Sequence, residues 1–308
     1  MFAAFLTTIL FSISAVTAYR TSKLVGGIEA NFWRLVVATI LLAIYAHGFG
    51  GGLSGNALLI FFVSGCIGFG IGDFAIFQAL PRLGSRLTIL LVQCLAAPIA
   101  ALVEWLWLDT AMSGAQIFCA ATILAGVALA ISPGEHLNLT TKQLVPGILF
   151  GLIAAAGQAG GAVLSRVANA HLRQAGQEID GVTAAYQRIL GGILVTTVVF
   201  LIARQRGKTF GAPVASSDAS AKPAVYQRGI WPWILVNALA GPTLGVSCYQ
   251  WALKTTPTGI VLPIVALTPL VIIPFARVVE RERPTLRSLA GGVVAVIGVV
   301  ALTLASRR

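Results

Sequence analysis

The chain has 308 residues, 57% of them hydrophobic and only 10% charged, with a mean hydropathy of +0.89. Soluble domains carry roughly 25% charged residues, so no soluble core hides this much apolar surface and lipid is the solvent for much of it. The formal net charge of +11 raises nucleic acid as a partner. The basic residues sit instead in connections and at span ends (Arg20, Lys23, Arg82, Arg86, Arg204, Lys208), which fits membrane orientation and anionic lipid and excludes a nucleic-acid role.

A bilayer-spanning helix needs ~20 predominantly apolar residues. Ten such stretches are predicted, at 2–19, 30–47, 56–79, 85–107, 113–132, 144–165, 181–203, 230–253, 257–278 and 286–305. Residues 2–19 lack a basic leader and an A-x-A site, so they are expected as a retained first helix. The runs are continuous and do not alternate as barrel strands do. The expected fold is therefore an all-α polytopic membrane protein.

The first five spans resemble the second five. Phe32-Trp33-Arg34-Leu35 has its counterpart in Tyr186-Gln187-Arg188-Ile189, each opening the second helix of its half. Gly72 through Ala79-Leu80 matches Gly245 through Ala252-Leu253 at a constant offset of 173. Pro98 runs eleven residues to Asp109, and Pro269 eleven residues to Glu280. Five is odd, so the second half enters the membrane upside down. Ten transmembrane helices as two inverted five-helix repeats are an arrangement common among secondary transporters. The expected division is 1–132, a connector at 133–143 containing Pro133-Gly134, and 144–308, with a polar loop from about Gln205 to Arg228.

Ionisable groups inside a span cost near ~3 kcal/mol, so they mark candidate sites. Asp73 follows Gly68, Gly70 and Gly72 in the third span. It is either a proton-linked or substrate-binding carboxylate, or a hydrogen-bonded cap on a glycine-loosened helix. Glu104 shares a helical face with Gln93, Ala97 and Ala100, and either lines a cavity or snorkels to water from the span's end. Arg34 and Arg188 lie near helix starts, where interfacial anchoring is the first expectation. A gate-side ion pair or a contact to an anionic substrate is the other. Further stripes are Asn237, Gly241, Gly245 and Tyr249; Gln158, Gly161 and Ser165; and Thr8 with Ser12. A shared polar cavity is expected to gather them.

Cys66, Cys94, Cys119 and Cys248 lie within spans without metal-type spacing, and His47, His136 and His171 are scattered. No cofactor, metal or nucleotide fingerprint is expected, and no enzymatic role.

These features together resemble an EamA-type member of the drug/metabolite transporter superfamily over essentially the whole chain. The family's usual Gly-Glu at the end of the fourth helix is replaced by Leu108-Asp109 and Val279-Glu280. The resemblance implies a secondary transporter of small organic metabolites, with export of amino acids or related compounds by alternating access as the common theme. It implies a multi-pass protein of a bacterial-type inner (plasma) membrane, protons as a possible coupling partner, and cytoplasmic termini. The excess of basic residues on the other side of the spans places the termini outside. An integral membrane enzyme and a non-transporting receptor or assembly protein are the alternatives.

Overall fold

A computed structural model describes residues 2–108, 113–131, 141–206, 229–255, 264–280 and 285–305, and among them helices fall in each of the ten predicted spans. The elements are α1 (Phe2–Val25), α2 (Gly27–Gly48), α3 (Leu58–Gly65), α4 (Asp73–Leu108), α5 (Gly114–Ile131), α6 (Thr141–Gln174) and α7 (Gly181–Gln205). They continue with α8 (Trp231–Ala238), α9 (Leu244–Thr255), α10 (Thr268–Val279) and α11 (Leu286–Ala305). There is no strand among the described residues.

Five helical stretches are long and apolar enough to cross a membrane by length and composition alone. One of them, Leu58–Ala96, holds two crossings, because Gly84 reverses the chain inside α4 at φ 80°. Only glycine adopts that conformation without strain. Gly26, at φ 84°, does the same between α1 and α2. At α7 the side chain of Asp180 caps the helix, accepting from the amides of Val182 and Thr183 at 2.9 Å.

The first and sixth helices run further than their apolar stretches, to Val25 instead of 19 and to Gln174 instead of 165. Hydropathy marks where the bilayer ends. The helix goes on while its polar residues reach water or neighbours, as Arg20 does over Trp233 at 4.1 Å. Asp109, the connector at 133–140 and loop residues 207–228 lie outside the described residues.

The third and eighth crossings are each interrupted by a π-helical segment, at Cys66–Gly72 and Leu239–Thr243. Their first residues are separated by the same 173 residues that relate the two sequences. The duplication thus extends to a backbone irregularity of a kind frequent at functional sites.

The repeats are inverted and interlocked. Phe32 stacks on Phe200 at 4.2 Å, and His47 bonds Tyr186 at 3.1 Å, so α2 and α7 run antiparallel. The first helix of each repeat packs on the third crossing of the other. Ser64 donates to the Gly161 carbonyl at 2.7 Å and lies 2.9 Å from Ser165. Ser14 donates to Asn237 at 2.8 Å, and Asn237 is the residue matching Ser64 at the offset of 173. The last helices, α5 and α11, meet through Gly126 and Gly291, where a Cβ would strike the opposing backbone. Outward positions such as Phe5, Ile40, Ile44, Leu149, Leu194 and Leu201 are exposed and apolar, as a lipid-facing surface requires.

Candidate functional site

One cavity of about 190 Å³ lies between the repeats. Helices α1 and α6 each present one helical face to it, Phe11, Ser14, Ala15 and Ala18 on one and Ala159, Ala162, Val163 and Arg166 on the other. The third and eighth crossings contribute residues in matched pairs at the offset of 173: Gly68 and Gly241, Phe69 and Pro242, Asp73 and Val246, Ile76 and Tyr249. Gln93 enters from the fourth crossing and Gln158 from the sixth.

Arg34 and Arg188 both line this cavity, with 6% and 5% of their surface exposed. That overturns interfacial anchoring. They sit toward opposite ends of the antiparallel α2–α7 pair, as the inverted repeat demands, but neither guanidinium reaches a surface. Each reaches across to a glycine of the other repeat. A Cβ at Gly68 would lie 3.2 Å from Arg188 Nη2, and one at Gly241 would lie 3.4 Å from Arg34 Nη1. Each guanidinium also lies over a ring, Arg34 over Phe77 at 4.8 Å and Arg188 over Phe69 at 5.2 Å. Arg86, assigned to a connection from the sequence, is likewise buried and donates to Ser288 at 2.7 Å.

The charge symmetry breaks at Asp73. Asp73 is buried and forms an ion pair with Arg34. Gln158 donates to its other oxygen at 3.3 Å, and Asn31 accepts from Arg34 at 3.0 Å. In the second repeat Val246 stands where Asp73 stands in the first. Arg188 has no carboxylate partner among the described residues, and its buried Nε has no hydrogen-bond acceptor. The lining carries three arginines against one aspartate.

Six of the eight residues singled out from the sequence therefore converge: Asp73, Gln93, Gln158, Tyr249, Arg34 and Arg188. Asn237 stands behind the wall, fully buried and bonded to Ser14. The side chains of Glu104, Ala97 and Ala100 lie outside the described residues. The single shared cavity expected for all the polar stripes is corrected. Thr8, which donates to the Ile264 carbonyl at 3.1 Å, and the Ser165–Gly161 pair are seams between helices. Small hydroxyl side chains satisfy backbone carbonyls there, where no water competes. Sequence reasoning missed the glycine–guanidinium contacts at Gly68 and Gly241. Their matched offset was the available signal.

The EamA-like transporter family model matches residues 1–132 and 145–304. A crystal structure described only as that of a protein is similar over 99% of this chain and 98% of that one, at 18% identity and a TM-score of 0.57. That likeness supports the fold alone. No curated protein matches the chain.

Proposed function

We propose that this chain, which belongs to the EamA-like transporter family, is a secondary transporter that moves small organic metabolites by alternating access between its two repeats. Amino acids and related compounds are the class that the resemblance implies, and export is the direction we assign. The observation that carries the reading is the cavity itself. Repeat-equivalent residues from both halves line it, so rocking one half against the other opens it to alternate sides. We keep 1–132 and 144–308 as the two moving repeats and place the protein in a bacterial-type inner membrane.

Asp73 is the only acidic residue among the described residues lining the cavity, and we assign it the coupling role. Its partner Arg34 and the donor Gln158 come from different helices. Protonation would remove the charge that pairs with Arg34 while leaving an acceptor for Gln158, and so change the packing of α2 on the third crossing. The substrate leaves chemically unchanged, and no catalytic residue is assigned.

The test is flux in proteoliposomes loaded with a metabolite panel, with and without a pH gradient. Protein-dependent flux of at least one organic metabolite is expected. Flux of none, with folded protein in the membrane, returns the receptor or assembly reading. Conversion of a compound without its movement returns the enzyme reading.

A further inference from the structure

We propose that Arg188 anchors the carboxylate of a net-anionic organic substrate, and that this carboxylate occupies the place which Val246 leaves without one in the second repeat. The inference rests on the transporter reading for its purpose, but its evidence is separate.

In the first repeat the arginine of the second helix is neutralised by Asp73 of the third crossing. In the second repeat the equivalent arginine meets an apolar side chain at the equivalent position. Arg188 is 95% buried by its 5% exposure, faces the cavity and lacks an acceptor at Nε. The Nε of Arg34 lacks an acceptor too, so what sets Arg188 apart is that no carboxylate lies in hydrogen-bond contact with it among the described residues. A buried cation without such a partner is costly, and a ligand carboxylate lowers that cost with charge-assisted hydrogen bonds. Gly68 lets the third crossing pack closely beside the guanidinium, since a Cβ there would begin 3.2 Å from Nη2 and 3.7 Å from the Gly161 Cα.

The same geometry disfavours an ammonium group. Asp73 is the only acid among the described lining residues, and Arg34 and Gln158 already engage it. A zwitterion would bring its ammonium into a cavity with three arginines. An acid without an amine avoids this. The remainder of the substrate meets Phe69, Ile76, Phe77 and Val246, so it is apolar. A cavity of ~150 Å³ accommodates benzene, and this one of about 190 Å³ holds one ring or a branched chain with a short acidic arm. The class is therefore apolar monocarboxylates, 2-oxo acids included, ahead of the amino acids with the same side chain.

Equilibrium binding of radiolabelled phenylpyruvate to the purified full-length protein in nanodiscs tests this directly. Phenylalanine, phenethylamine, phenylacetate and 4-methyl-2-oxopentanoate serve as competitors. Phenylpyruvate is expected to bind at least tenfold more tightly than phenylalanine, with no displacement by phenethylamine. Val246→Asp supplies the missing carboxylate from within. It is expected to weaken phenylpyruvate at least tenfold without lowering the unfolding temperature. Arg188→Gln is expected to weaken it as much, with partial recovery in Arg188→Lys. The selectivity series uses the unaltered protein and does not depend on any variant folding. Phenylalanine binding as tightly as phenylpyruvate overturns the proposal. So does undiminished binding in Val246→Asp or Arg188→Gln, or no binding by any of the acids. Selective acid binding without flux in proteoliposomes would sink the transporter reading and leave this site standing.

Discussion

Arg34 and Asp73, 39 residues apart in the chain, form a buried ion pair on the wall of the cavity between the repeats. Removing one partner of such a pair leaves a charge in a medium that cannot solvate it, at a cost of about 3–5 kcal/mol. Replacing both by apolar groups costs much less.

Arg34→Met and Asp73→Leu should each destabilise by about 3–5 kcal/mol, and the double variant by less than either. Denaturant unfolding in detergent micelles measures all three against the parent. Strictly additive losses would show that the two side chains do not interact.

The glycines at the crossing points make a second prediction. A Cβ at Gly65 would run into the Arg188 carbonyl, whereas a Cβ at Gly48 meets nothing within 4 Å. Gly65→Ala should therefore cost about 1–3 kcal/mol by forcing α3 and α7 apart. Gly48→Ala should stay within about 0.5 kcal/mol of the parent. Equal thermal shifts for the two would contradict the close packing of the repeats.

With ten crossings, the ends of α7 and α11 lie on opposite faces of the membrane. Single cysteines at Ser217 and after Arg308, in a background lacking the native cysteines, should label from opposite sides with an impermeant maleimide. Labelling of both from one side would refute the ten-crossing topology, whichever face is cytoplasmic.

Much of this was legible in the residues, and the exceptions have physical reasons. Apolar run length is a local property, so the ten spans and the motifs repeated between their halves can be read directly from the chain. Arg34 and Arg188 were misplaced because a basic residue seven positions into a helix usually snorkels to the nearer surface. What holds them inside is non-local: Asp73 for one, and the Phe69 ring with the close approach at Gly68 for the other. Gly68, Gly70 and Gly72 signalled a loosened helix, but not that it would take π geometry, nor that Leu239–Thr243 would do the same around Pro242. Thr8 and Ser165 have the composition of cavity residues. Only the partner helix shows that their hydroxyls are consumed in seams.

We propose that Asp73 couples substrate movement in the cavity to protons, and Asp73→Asn probes this because it keeps the shape and removes the titration. Parent and variant are reconstituted into proteoliposomes, and uptake of a transported metabolite is followed with and without a pH gradient, alongside gradient-free exchange. The account predicts that gradient-driven accumulation is lost in the variant while exchange survives. Accumulation by Asp73→Asn with unchanged pH dependence would contradict it and reduce Asp73 to a structural partner of Arg34.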